Sequence, residues 1–143
     1  MAFKRLLYNY LTTGTTTLNG VNVGIVEGGP TLDMTKVRQD VNTLSALVAL
    51  DAETNTITLE AYWQVSNDDT TWVELIPVNN AAVVIWGTGT GGADATVTRV
   101  LPAPDAVYGW RYARVAVVPR VTNALTADTY AIGYCFEKDD LLV

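Results

Sequence analysis

Over residues 57–66 the chain alternates without interruption, with Ile57, Leu59, Ala61, Trp63 and Val65 on one side and Thr58, Glu60, Tyr62, Gln64 and Ser66 on the other. A period of two sustained this long fits an extended strand and no helix, because successive Cβ atoms of a strand point to opposite faces. The apolar side must meet a core, and the polar side faces water or a partner. "SNDDTT" follows, rich in the Asn and Asp residues that bond their own backbone and tolerate left-handed conformations. "TWVELIPV" then reads as the return strand of a hairpin, with Trp63 in the core and Trp72 half exposed where that strand begins.

Strand-like runs recur along the chain: "AAVVIW", "ATVTRVL", "RYARVAVVPR" and "TYAIGYCFE". Upstream, Leu44, Ala46, Val48 and Leu50 share one face while Leu47 and Ala49 take the other, as for a strand covered on both sides. With one weak early strand this gives about eight strands and no long helical pattern after residue 30. The expected fold is all-β, an antiparallel β-sandwich or jelly roll. At 143 residues the chain has the length of one domain and buries roughly two-thirds of its unfolded surface without disulfide or metal support.

The first thirty residues read differently. Phe3, Leu6, Leu7, Tyr10 and Leu11 fall at helical spacing, and a Thr- and Gly-rich stretch follows, ending in "EGGP". We expect residues 1–30 to form an extended N-terminal arm, with an amphipathic start that either grips a neighbour or folds back on its own domain, and residues 31–143 to form the sandwich. Lys4 and Arg5 precede two leucines as in a signal peptide, but Asn9 breaks the apolar stretch and no small-residue cleavage site follows. No run reaches the eighteen or so apolar residues of a membrane span, so no membrane partner is expected.

Little in the chain suits catalysis. It contains no histidine, the commonest general base and metal ligand. Its one cysteine, Cys135, lies in an apolar strand-like run, reads as a buried thiol, and has no basic neighbour to lower its pKa. "GTGTGGAD" at 87–94 resembles a phosphate-cradling loop only superficially, since neither a lysine nor a helix follows. Asn67, Asp68 and Asp69 lack the spaced ligands of a calcium loop, and Glu60 and Glu74 read as surface carboxylates that face each other across the hairpin. Neither a cofactor nor a metal is expected. The net charge of −6, without a basic cluster, argues against nucleic acid.

What remains are contact residues. In "WRYARVAVVPR", Arg111 and Arg114 fall on opposite faces of the strand, and Arg120 leaves the sheet just after Pro119. Each either pairs within the molecule or meets acidic residues of a neighbouring subunit. Tyr62 and Trp72 are the aromatics of the hairpin left to stack on a sugar.

The combination "LEAYWQVSNDDTTWVEL" followed by "WRYARVAVV" resembles a pattern in structural proteins of tailed bacteriophages, in particular small β-sandwich head proteins that decorate or cement the capsid. The likeness covers residues 44–118. It implies a non-enzymatic virion protein, made in the host cytoplasm and bound to the capsid exterior, whose partners are the major capsid protein and its own copies in a trimer or other symmetric oligomer. Phe3, Leu6, Leu7, Tyr10, Arg111, Arg114 and Arg120 are then the candidate contacts. The competing expectation is a carbohydrate-binding β-sandwich module using Tyr62 and Trp72.

Overall fold

A computed structural model describes residues 2–7, 16–18, 24–36, 43–52, 56–75, 83–88, 95–120 and 127–141. In chain order the strands are β1 (Ala2–Leu7), β2 (Thr16–Thr17), β3 (Glu27–Gly28), β4 (Leu32–Asp33), β5 (Thr43–Ala52), β6 (Thr56–Ser66), β7 (Val73–Leu75), β8 (Val83–Thr88), β9 (Ala95–Pro102), β10 (Tyr112–Pro119) and β11 (Thr129–Leu141). A turn of 3-10 helix, Asp105–Gly109, precedes β10. Sheet I runs β1-β11-β5-β9, with β2 also on β11; sheet II runs β3-β10-β6-β7, with β4 also on β10 and β8 on β6. Every pairing is antiparallel.

The two sheets close a β-sandwich. Leu44, Ala46, Val48 and Leu50 of β5, with Tyr130, Ile132 and Tyr134 of β11, meet Ile57, Leu59, Ala61, Trp63 and Val65 of β6 and Ala113, Val115 and Val117 of β10. The alternation in β6 therefore points as its sequence demands. Trp63 is 3 % exposed; its ring lies 5.7 Å from that of Tyr134, and its Nε1–H donates to the carbonyl of Leu101 across the sandwich at 3.4 Å. Eleven strands are formed among the described residues rather than about eight, because the edges of β6 and β10 are each covered by two short pieces.

On the β10 edge the two pieces are out of step by one residue. β3 pairs Gly28 with Ala116, whereas β4 pairs Leu32 with Ala113, so residues 29–31 oppose only Arg114 and Val115. This is a bulge, and "GGP" is its chemistry. A side chain on Gly29 would lie 2.8 Å from the Val115 carbonyl and 2.9 Å from Ile132, so only glycine fits. Pro30 has no N–H to give back to β10. The Tyr134 hydroxyl bridges the gap in the ladder, accepting from the Val115 N–H at 2.9 Å and donating to the Pro30 carbonyl at 2.7 Å. Tyr134→Phe strands both backbone groups in the core and should cost about 1–3 kcal/mol in chemical denaturation. A change within a few tenths of a kcal/mol would mean the bulge holds without the hydroxyl.

Three expectations are corrected here. The segment 1–30 is not an arm outside the sandwich in its described parts: β1 and β2 lie on β11, β3 lies on β10, and Leu18 is wholly buried in the core. Residues 2–7, set at helical spacing by Phe3, Leu6 and Leu7, form a strand, because the backbone of β11 from Phe136 to Leu141 offers an edge to pair with. Residues 44–50 are not covered on both sides, since Ser45, Leu47 and Ala49 remain half-buried on the outer face of sheet I, as does Cys135.

Candidate functional site

The outward side chains of sheet II come from positions that the alternation in sequence leaves to water or to a partner. Register places Gln64 between Arg114 and Glu74, and Tyr62 opposite Ala116. Trp72 leads into β7 on the same side as Glu74, by the two-residue period. The face was expected to meet water or a partner, and Gln64, Ser66, Ala116 and Val118 on it are already buried within the chain. Arg114 reaches Gln64, and the turn after β6 closes on Ser66.

Arg114 is the centre of that cover. Its Cζ sits 4.0 Å from the centroid of the Trp72 ring, a cation–π contact, and its Nε–H donates to Oε1 of Gln64 at 2.8 Å. On the β3 side the guanidinium lies against Gly28, where a Cβ would collide with Cζ and Nη1. Burial holds the Arg114 pKa below its usual value, while Asp69 acts on it from a longer range. Among the described residues no carboxylate forms an ion pair with it.

The neighbouring groups are matched internally. Tyr62 donates its hydroxyl to Glu74 at 3.2 Å, and burial together with that carboxylate pushes its pKa up to about 12. Glu60 and Glu74 do not face each other across the hairpin: Glu60 pairs in register with Val84 and Glu74 with Gln64. Instead Glu60 forms an ion pair with Arg120 at 3.1 Å. Arg111 precedes β10 at the strand mouth, exposed, with its Cζ 5.1 Å from the Tyr112 ring.

The acidic turn is built from its own bonds. Asp68 Oδ1 accepts from the backbone N–H of Thr70 and Thr71 at 2.9 and 2.7 Å and from the Ser66 hydroxyl at 2.8 Å. These bonds hold its carboxyl well below the usual range. Asp69 takes a positive φ of 62°, the left-handed conformation the Asn/Asp-rich turn allows. Among the described residues no three potential ligands converge on a metal position.

Of the expected contact residues, the structure brings Arg114, Trp72 and Tyr62 onto one face and puts Arg120 at its border. Phe3, Leu6 and Leu7 lie in β1 of the other sheet, and Tyr10 lies outside the described residues, as do residues 89–94 of the glycine-rich run. Sequence reasoning missed Gly28 and Gln64, which hold Arg114 in place. "EGGP" carried the signal, but as an irregularity in a strand rather than the end of an arm.

No family model matches the chain, and no curated protein matches it. Among solved structures it is similar to a protein described as "Family 16 Carbohydrate Binding Module-2", at 15 % identity and a TM-score of 0.30, covering 90 % of this chain and 74 % of that one. A likeness this loose carries no ligand across.

Proposed function

We propose that this is a non-enzymatic structural protein that decorates a tailed-phage capsid, docking on the major capsid lattice through the outer face of sheet II. The observation that carries the reading is the cover of that face. Arginine, tryptophan and tyrosine, the side chains enriched at the centres of protein interfaces, lie over a buried sheet surface around Arg114. The likeness of residues 44–118 to phage head proteins supports the capsid as the partner. Repetition over a shell multiplies a modest contact into stable decoration.

The test is co-sedimentation of the protein with empty shells of the phage that encodes it. Wild-type protein should pellet with the shells, and Arg114→Gln should lower its occupancy about tenfold or more, as for loss of a hydrogen-bonded charge at an interface. Binding that is indifferent to Arg114 would place the contact elsewhere.

A second reading has one observation in its favour: Trp72 and Tyr62 share the face, as a sugar-binding platform requires. Against it, one face of the Trp72 ring is taken by the guanidinium and the Tyr62 hydroxyl by Glu74. Saturable glycan binding that Trp72→Ala abolishes would favour this reading over the first.

A further inference from the structure

We infer that the Arg114 slot receives one carboxylate, from an aspartate or glutamate side chain of a polypeptide partner. A guanidinium has two flat faces and a rim of five N–H donors. Here Cζ lies 4.0 Å from the centroid of the Trp72 ring, the guanidinium fills the space where a Cβ on Gly28 would stand, and Nε–H is spent on Gln64. The Nη edge is what remains: among the described residues the guanidinium's hydrogen bond is made by Nε, no carboxylate forms an ion pair with it, and Asp69 acts on it only through its charge. Two parallel N–H groups on one edge match the two oxygens of a carboxylate.

The same geometry makes the group rigid. An exposed arginine loses side-chain freedom when it binds; this one has already lost it to stacking, the Gln64 bond and the Gly28 wall, so less is lost per hydrogen bond formed. Its partial burial weakens its own hydration, and an incoming carboxylate restores what burial removed. In a chain of net charge −6 it is a positive point set in a predominantly negative molecule.

A polypeptide fits better than a sugar acid. The guanidinium occupies a ring face of Trp72 that a sugar would use, and a large apolar side chain stands beside the slot: Val26, two residues before Gly28 and on the same side of the strand by the two-residue period, is 47 % exposed. An apolar flank favours an apolar neighbour of the acidic residue.

This inference rests on the reading of sheet II as the contact face, and its test is separable from that reading. The Nε–Hε signal of Arg114, protected by Gln64, is followed by two-dimensional NMR during titration with acetyl-Leu-Gly-Glu-Gly-Leu-amide, with the glutamine analogue, and with glucuronate. The expected result is a saturable shift with the glutamate peptide, roughly in the millimolar range, about tenfold or more weaker with glucuronate and absent with the glutamine peptide. Gly28→Ala, which pushes the guanidinium from its wall, should abolish the shift. The titration reads wild-type protein, so a variant that fails to fold leaves it valid. No shift, or an equal shift from the glutamine peptide, overturns the slot. A glucuronate response equal to or stronger than that of the glutamate peptide overturns the polypeptide source. If shells bind and the peptide does not, the slot alone fails; if the peptide binds and shells do not, the capsid reading alone fails.

Discussion

Trp63→Ala should destabilise the protein by about 3–5 kcal/mol, the range for emptying a large aromatic site in a core that relaxes only partly. Trp63 leaves sheet II on the inner face of β6, stacks near Tyr134 of sheet I and reaches the Leu101 carbonyl of β9. It therefore touches both sheets, and its loss opens a cavity and leaves a carbonyl without its donor. Trp72→Ala removes a half-buried ring from the outer face, where the cation–π contact with Arg114 is worth about 1–2 kcal/mol. Denaturant melts of the two variants should differ by more than twofold in free energy lost. Equal, small losses would show that Trp63 does not bridge the sheets.

Deleting residues 2–28 should leave a chain that does not fold. The cut removes β1, β2 and β3 together with Leu18, one of the largest fully buried side chains. Loss of a buried leucine alone costs about 2–5 kcal/mol, against a total stability of about 5–15 kcal/mol for a domain. It also breaks the 2.6 Å hydrogen bond from the Tyr130 hydroxyl to Glu27 and strips part of the β10 edge of its partner. A bared edge at the centre of a sheet invites pairing between chains. Circular dichroism and a thermal melt decide it: loss of the cooperative transition is expected, and a truncated chain that melts as one unit would return these residues to the status of an arm.

The sandwich was legible where the sequence repeats a local rule. Ile57, Leu59, Ala61, Trp63 and Val65 needed only the pleat to find their face, and "SNDDTT" needed only the bonding habits of aspartate to become a turn. Elsewhere the deciding partner is remote. Phe3, Leu6 and Leu7 have helical spacing, and a helix loses to a strand because β11, more than a hundred residues away, supplies the edge. "EGGP" looks like a boundary until Tyr134 is known to fill the gap in the β10 ladder. Gln64 reads as facing water or a partner until the β10 register sets Arg114 opposite it and Trp72 meets that arginine. Alternation places a residue on a face, but pairing register decides what covers it, and register between distant strands is not written in any local window.

The measurement that tests the account most directly is electron cryomicroscopy of shells carrying the protein. The outer face of sheet II should lie on the lattice, with the Arg114 edge against an acidic side chain of the major capsid protein and with Trp72 and Val26 buried at the contact. A particle in which sheet I meets the shell, through the face that bears the 57 % exposed Val100, with Arg114 left in solvent, would contradict it.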